Sequence, residues 1–360
     1  MKEGMKMIVN RTPIRTSVNY GINEVDIQDL KIHSKVVEFN NLTILGDSSK
    51  FDIYTNDDNN QVNRKDLVYG NGKELEEEVY EKANQNIKIG VNNSGTLNLE
   101  FELDNENKCL IDNINIISNS KKQATIVIKY GSDDAQEYYH NGIIRVDAKE
   151  NSRINIIVIN LLNEKTNNFL SIENILGQDA IVNYTIVDFG GKSSISNYYS
   201  NLIGEKSKAN INTIYLGNTE QLFDLNYIAE LRGEKTDVNI EVQGALKDFA
   251  KKNFKGTIDF KKGSKKSTGN ENEYCMLLSD KAKSKALPML LCTEEDVEGN
   301  HSSAAGKVDK KSLFYIMSRG ISYRDAMKLI VKAKFNKILE TIKDENLKDE
   351  ILKEIDTKLD

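Results

Sequence analysis

Tryptophan is absent, proline occurs twice, and cysteine occurs only at Cys109, Cys275 and Cys292 in a chain of 360 residues. Three scattered cysteines, odd in number and without a C-x-x-C pair, exclude a disulfide framework and point to a reducing compartment. No stretch approaches the roughly 18 apolar residues of a membrane helix. The first ten residues carry Lys2, Glu3 and Lys6 where a secretory signal needs an apolar run. These lacks predict a cytoplasmic chain without membrane attachment. With 49 basic against 55 acidic side chains the net charge is -6, so the chain as a whole is no polyanion binder and no nucleic-acid partner is expected. Apolar residues at 39% exclude a disordered chain.

What is present is a β pattern. From about Val37 to Val297, short alternating or β-branched runs are separated by Gly, Asn, Asp and Lys clusters, as in Thr125–Ile128, Ile154–Leu161, Ile181–Val187 and Ile211–Leu216. One helical interruption is predicted at Lys73–Lys82. A β-branched residue followed by Asn recurs at Ile154-Asn155, Val182-Asn183, Ile211-Asn212 and Val238-Asn239, so that the Asn positions differ by 28, 29 and 27 residues. Each period holds two strand-like segments. A unit of that size cannot bury its own apolar face and must stack on its neighbours; a propeller blade needs four strands and more residues, so the period predicts a solenoid. In a stack of parallel coils the four Asn would form one amide ladder. The fold expected is mainly β: a right-handed parallel β-helix core with a small C-terminal α-helical domain.

Beyond Gly306 the period changes. Helices are predicted at Lys310–Ser318, at Ser322 to about Lys343 and at Leu347–Leu359. In the second, Met327, Val331, Phe335, Ile338 and Ile342 form one apolar stripe, and in the third Leu347, Ile351, Ile355 and Leu359 form another. Ser322 and Asp325 suit a capping box, and Gly320 suits the preceding helix stop. The organisation expected is an N-terminal region at 1–90, partly helical or irregular, a β-helix core at 91–305 and a helical domain at 306–360.

Little in the sequence looks like a self-contained enzyme. A P-loop needs G-x-x-x-x-G-K-[ST]; Gly191-Lys192-Ser193 ends correctly, but Ile186 stands at the first glycine position, and Gly306-Lys307 continues into Val308. No nucleotide is expected on this chain. Of the three histidines, His33 and His140 lie among polar residues and are read as solvated. The lysines from Lys247 to Lys266, among them Lys251, Lys252, Lys255, Lys261, Lys262 and Lys265, are read as a solvated sheet edge protected against aggregation. Cys275 sits in an apolar strand as a small core residue. Cys292 lies nine residues before His301. A thiol and an imidazole are ligands for soft or borderline metals, but one of each is an incomplete site that another chain would have to complete.

The run Asp296-Val297-Glu298-Gly299-Asn300-His301-Ser302-Ser303-Ala304-Ala305-Gly306-Lys307-Val308-Asp309, followed by Leu313-Phe314-Tyr315-Ile316-Met317-Ser318-Arg319-Gly320-Ile321, strongly resembles the SufB/SufD family of iron–sulfur cluster assembly proteins. Leu277-Leu278-Ser279, Pro288 and the Phe254-x-Gly256 step also fit, and the clear resemblance spans about Phe254 to Phe335. Two departures stand out. The usual His-Gly-Ala-Thr is His301-Ser302-Ser303-Ala304 here, and Ala282 stands six residues before Pro288, where SufB-type subunits carry a cysteine. The second favours the SufD branch. The short N-terminal region departs from members with a longer helical N-terminal domain.

The resemblance implies a non-enzymatic scaffold subunit that pairs with a SufB-like subunit and docks a SufC-like ATPase through its C-terminal helices. It further implies a transient iron–sulfur cluster or iron shared between subunits, with His301 as cofactor and metal ligand; Cys292 is the second metal-ligand candidate, on the thiol chemistry above. Adjacent Phe314 and Tyr315 point about 100° apart on a helix, so one is left for a partner; with Arg319, Gly320 and Ile321 they are the expected ATPase contact. The alternative is a structural homodimer that binds the ATPase without contributing a ligand.

Overall fold

A computed structural model of the chain describes residues 5–30, 36–56, 66–134 and 136–360. The first strands are β1 (Met5–Val9), β2 (Val25–Leu30), β3 (Leu42–Gly46) and β4 (Phe51–Thr55), followed by helix α1 (Lys73–Lys82). Then come β5 (Gln85–Val91), β6 (Gly95–Leu103), β7 (Cys109–Ser118), β8 (Gln123–Ser132), β9 (Tyr139–Ala148), β10 (Arg153–Leu161), β11 (Asn167–Leu176) and β12 (Ile181–Asp188). The run continues through β13 (Ser193–Leu202), β14 (Lys208–Gly217), β15 (Leu222–Leu231), β16 (Asp237–Leu246), β17 (Lys251–Phe260), β18 (Ser267–Leu277), β19 (Lys283–Cys292) and β20 (Val297–Lys307). Helices α2 (Lys310–Ser318), α3 (Tyr323–Leu339) and α4 (Glu345–Leu359) follow.

Every strand from β5 to β18 pairs in parallel with the strand two places on, so the chain winds as a β-solenoid with two strands per coil. Even-numbered strands β6 to β20 with β3 make one nine-stranded sheet, and odd-numbered strands β5 to β19 with β4 make the other. β3 and β4, inside the range expected to be parallel, instead pair antiparallel with β6 and β5. The alternation of β-branched and polar residues sends one set of side chains into the space between the sheets. That space is filled by a continuous core running from Phe39 and Ile87 to Phe260 and Cys275.

The outer faces are covered by different parts of the chain. β1, β2 and α1 bury Met7, Val9, Ile27, Leu75 and Val79 against Ile111, Phe169 and Ile195 of the odd-numbered sheet. α3, the turn after it and α4 bury the two predicted stripes, including Val331, Phe335, Ile338, Ile342, Ile351 and Ile355, against Ile157, Ile159 and Leu216 of the other and Phe189 at its edge. α2 by contrast buries none of its residues.

One corner of the solenoid repeats a backbone device. Lys121, Asn151, Asp179, Lys206, Lys235 and Lys266 all have left-handed φ between 53° and 63°. Each donates its backbone N–H to a carbonyl of the next coil, as Asn151 does to Gln178 at 2.9 Å and Lys206 to Glu234 at 2.9 Å. Left-handed backbone at a non-glycine residue costs roughly 1–2 kcal/mol, and the inter-coil hydrogen bond offsets part of it.

Candidate functional site

The asparagine ladder exists on the outer face of the even-numbered sheet, with one change of member. Register pairs Asn155 with Asn183, Asn183 with Asn210, and Asn210 with Asn239, then Asn270 and Asn300. Asn212 lies two residues further along the same face, opposite Thr185 and Glu241. Side-chain amides run down the row: Asn183 Nδ2 donates to Asn155 Oδ1 at 2.9 Å, Asn210 to Asn183 at 2.8 Å and Asn300 to Asn270 at 3.2 Å.

The end of the solenoid is where candidate chemistry gathers. β20 and β19 are the last strands of their sheets, and β20 has no buried residue. Its register partner β18 buries Gly269, Glu271, Glu273 and Cys275 on the lumen side. In-register pairing puts His301 over Glu271 and Ser303 over Glu273. His301 is therefore on the lumen side of the final coil, exposed because no further coil covers it. The predicted small neighbours Ser302, Ser303, Ala304 and Ala305 are exposed with it.

Cys292 is exposed at the end of β19, its thiol donating to Glu294 O at 2.8 Å. It opens the turn into β20, whereas His301 lies four residues beyond Val297, roughly 13 Å along the strand at about 3.3 Å per residue. The chain does not bring these two predicted ligands together. Among the described residues no three metal-ligating side chains converge.

Beneath the open coil lies a charged cluster that the sequence did not reveal. Lys252 of β17 and Glu273 form a fully buried ion pair at 2.7 Å. Tyr215 Oη at 3.2 Å and Ser303 Oγ at 2.8 Å donate to the same carboxylate. Lys255 is equally buried, paired with Asp224 at 2.5 Å and donating to Asn10 O at 2.7 Å. Two lysines assigned to a solvated edge are thus interior: Lys252 points into the lumen, and Lys255 is covered by the N-terminal segment. Cys275 is buried as expected, and burial raises its thiol pKa. Glu271 is fully buried, and burial, reinforced by the Glu273 charge, pushes its carboxyl up to about 8.

His140 is also interior, contrary to the solvated reading, because Tyr139-His140-Asn141-Gly142 starts β9 and forms no loop. Its ring nitrogens lie 2.7 Å from Asp112 Oδ1 and 2.5 Å from Asn168 Oδ1, with the Tyr130 ring 4.2 Å away. The network continues through Asn168 to Ser194 at 2.9 Å and from Ser194 to Asp188 at 2.9 Å. His33 lies outside the described residues.

Both aromatics of α2 face solvent, Phe314 at 74% and Tyr315 at 59% exposure. Arg319, the C-cap, donates to Tyr315 Oη at 2.9 Å with its guanidinium 5.1 Å from the ring. Gly320 ends the helix at φ 87°, and Ile321 is half-buried. Asp309 caps α2 by accepting from Ser312 N at 2.9 Å, and Ser322 caps α3 by accepting from Asp325 N at 3.1 Å. Met317, Tyr323 and Leu329 extend the exposed apolar surface.

Comparison with known proteins matches residues 101–334 to the SufBD core domain of SUF system FeS cluster assembly. The chain is 27% identical over 183 residues to the iron–sulfur cluster assembly protein SufD of Bacillus subtilis, covering 51% of this chain and 42% of that protein. It is 32% identical over 170 residues to an iron–sulfur cluster assembly SufBD family protein of Pyrococcus horikoshii, covering 46% and 37%. It is 23% identical over 237 residues to SufD of Escherichia coli, covering 66% and 56%. The chain thus spans about half the length of the curated relatives it matches.

Proposed function

We propose that this chain, which belongs to the SufB/SufD family of iron–sulfur cluster assembly proteins, is a SufD-like scaffold subunit that closes its open solenoid end against a SufB-like subunit. The carrying observation is the final coil. An exposed edge strand of eleven residues presents unpaired backbone donors and acceptors, which makes it a template for another strand. Small side chains from Ser302 to Ala305 let a second backbone approach. A SufB-like chain with its own open coil would extend both sheets across the boundary and bury His301.

In that arrangement His301 contributes an imidazole to iron or a nascent cluster, which is cargo held between the subunits. Cys292, at the far end of β19 from the facing position, would ligate only across the interface. The exposed aromatic surface of α2, with Phe314, Tyr315, Arg319, Gly320 and Ile321, is the proposed dock for a SufC-like ATPase, which supplies nucleotide hydrolysis. Exposed aromatics beside an Arg are the side chains that most often anchor interfaces. No described helix is long and apolar enough to cross a membrane, and all three cysteines are free thiols. Both support assembly in the cytoplasm.

A second reading is a homodimer without a metal ligand, favoured by the same edge: a strand can pair antiparallel with its own copy about a two-fold axis. Co-expression with the SufB-like and SufC-like proteins of the same genome, followed by size-exclusion chromatography with light scattering, separates the readings. A heteromer whose His301→Ala variant assembles but fails to hold a reconstituted cluster supports the first. Homodimers alone, or a variant that holds the cluster normally, support the second.

A further inference from the structure

The coil beneath the open end carries an acidic side chain that no basic group or hydrogen-bond donor engages among the described residues. Glu271 is fully buried, and among the described residues neither carboxylate oxygen has a hydrogen-bond partner. Glu273, two residues on, is the contrast, since Lys252, Tyr215 and Ser303 engage both of its oxygens. Room for the Glu271 carboxylate is made by Gly256 on the facing strand β17. A Cβ there would lie 2.2 Å from the carboxyl carbon. Leaving a buried carboxyl without partners is destabilising.

His301 is the register neighbour of Glu271 on the last strand. Register pairs the two residues, the pleat sends both side chains toward the lumen, and adjacent strands are about 4.8 Å apart. A carboxylate and an imidazole on register-paired residues that face the same lumen, one buried and one at the open mouth, supply oxygen and nitrogen donors suited to a first-row divalent cation.

We propose that Glu271 and His301 together form a divalent-cation position at the mouth of the lumen, completed by ligands from the chain that closes the open end. Glu273 is no third donor, because Lys252 holds it, and Cys292 lies too far along the strand. The site is incomplete in a single chain, in keeping with the lack of any converging trio of metal-ligating side chains among the described residues. The inference deepens the proposed function and rests on its reading of the open end as a subunit interface. It adds a ligand that neither the sequence motif nor any exposed side chain points to.

The test uses Mn2+ alone as probe, followed by electron paramagnetic resonance on the complex with the SufB-like partner and by thermal shift on the full chain. The wild-type complex is expected to bind one Mn2+ per copy of this chain, and Glu271→Gln and His301→Ala each to weaken binding at least tenfold with assembly unchanged. Wild-type Mn2+ binding by Glu271→Gln overturns the proposal. So does Glu271→Gln disrupting assembly while Mn2+ binding is absent from wild type, which identifies the carboxylate as the acceptor for a basic side chain of the partner. Should no complex form, the proposed function fails, and the chain alone still decides the cation site. Millimolar Mn2+ must then raise the melting temperature of wild type but not of Glu271→Gln or Glu271→Met, and an equal rise in all three overturns the site.

Discussion

Asn183 donates its side-chain amide to Asn155 Oδ1 at 2.9 Å, across two coils whose backbones pair the same two residues. It also accepts from Asn210 at 2.8 Å, so it is a middle rung held from both sides. At about 1 kcal/mol per hydrogen bond, Asn183→Ala is expected to destabilise the protein by about 1–2 kcal/mol. Asn212→Ala, on the same face but outside the ladder, should cost less than about half of that. Urea unfolding of both variants checks the difference, and equal losses would mean that the ladder contributes nothing specific.

Gly204 sits at a corner where one coil packs tightly on the coil before it. A Cβ on it would lie 2.1 Å from Gln178 N and from the Gly177 carbonyl carbon, both backbone atoms that cannot rotate away. Gly204→Ala must push two coils apart, and the expected cost is about 3 kcal/mol, the upper range for overpacking. A loss below about 0.5 kcal/mol by the same unfolding experiment would show that the corner relaxes freely.

Asp188 is buried and accepts from Asn160 Nδ2 at 2.7 Å and Ser194 Oγ at 2.9 Å, and burial pushes its carboxyl up to about 6 from 3.8. The folded value lies above the unfolded one, so the stability linked to the protonated form is whole below roughly pH 4 and is lost as pH rises through about 6. Asp188→Asn removes that titration. Its melting temperature relative to wild type should therefore rise between pH 4 and pH 7, by the equivalent of on the order of 2 kcal/mol. A difference independent of pH contradicts the assignment.

The double substitution Phe314→Ala with Arg319→Ala tests the helical dock. Because α2 buries none of its residues, thermal stability should hardly change. Affinity for the SufC-like ATPase, measured by calorimetry, should fall by more than about 2 kcal/mol, the usual threshold for an interface anchor. Unchanged affinity would place the contact elsewhere on the helices.

The sequence by itself determined the two-strand repeat, the solenoid, the helices, and the cap and stop at Ser322 and Gly320. Period 2 and period 3.6 are local signals, and Ser322, Asp325 and Gly320 act within a turn of their own backbone. It determined the ladder only up to a choice between neighbours. Asn210 and Asn212 flank Ile211 and share a face, and a shift of two residues preserves every in and out assignment. The unequal lengths of successive coils, taken up at the corners, select Asn210.

Tertiary structure alone decided which polar and charged side chains are inside. Lys252 and Lys255 read as surface residues, because burial of a cation depends on a carboxylate from another coil, Glu273 or Asp224. His140 read as loop, because its partners Asp112 and Asn168 each lie one coil away, at a sequence separation of 28. Six corner residues in left-handed conformation, four of them lysines, give no glycine signal, since their stabilising bonds come from the neighbouring coil. His301 was legible as a motif residue. That it stands over the unpartnered Glu271 follows from parallel register between β18 and β20, which no spacing of thirty residues reveals before the coils are stacked.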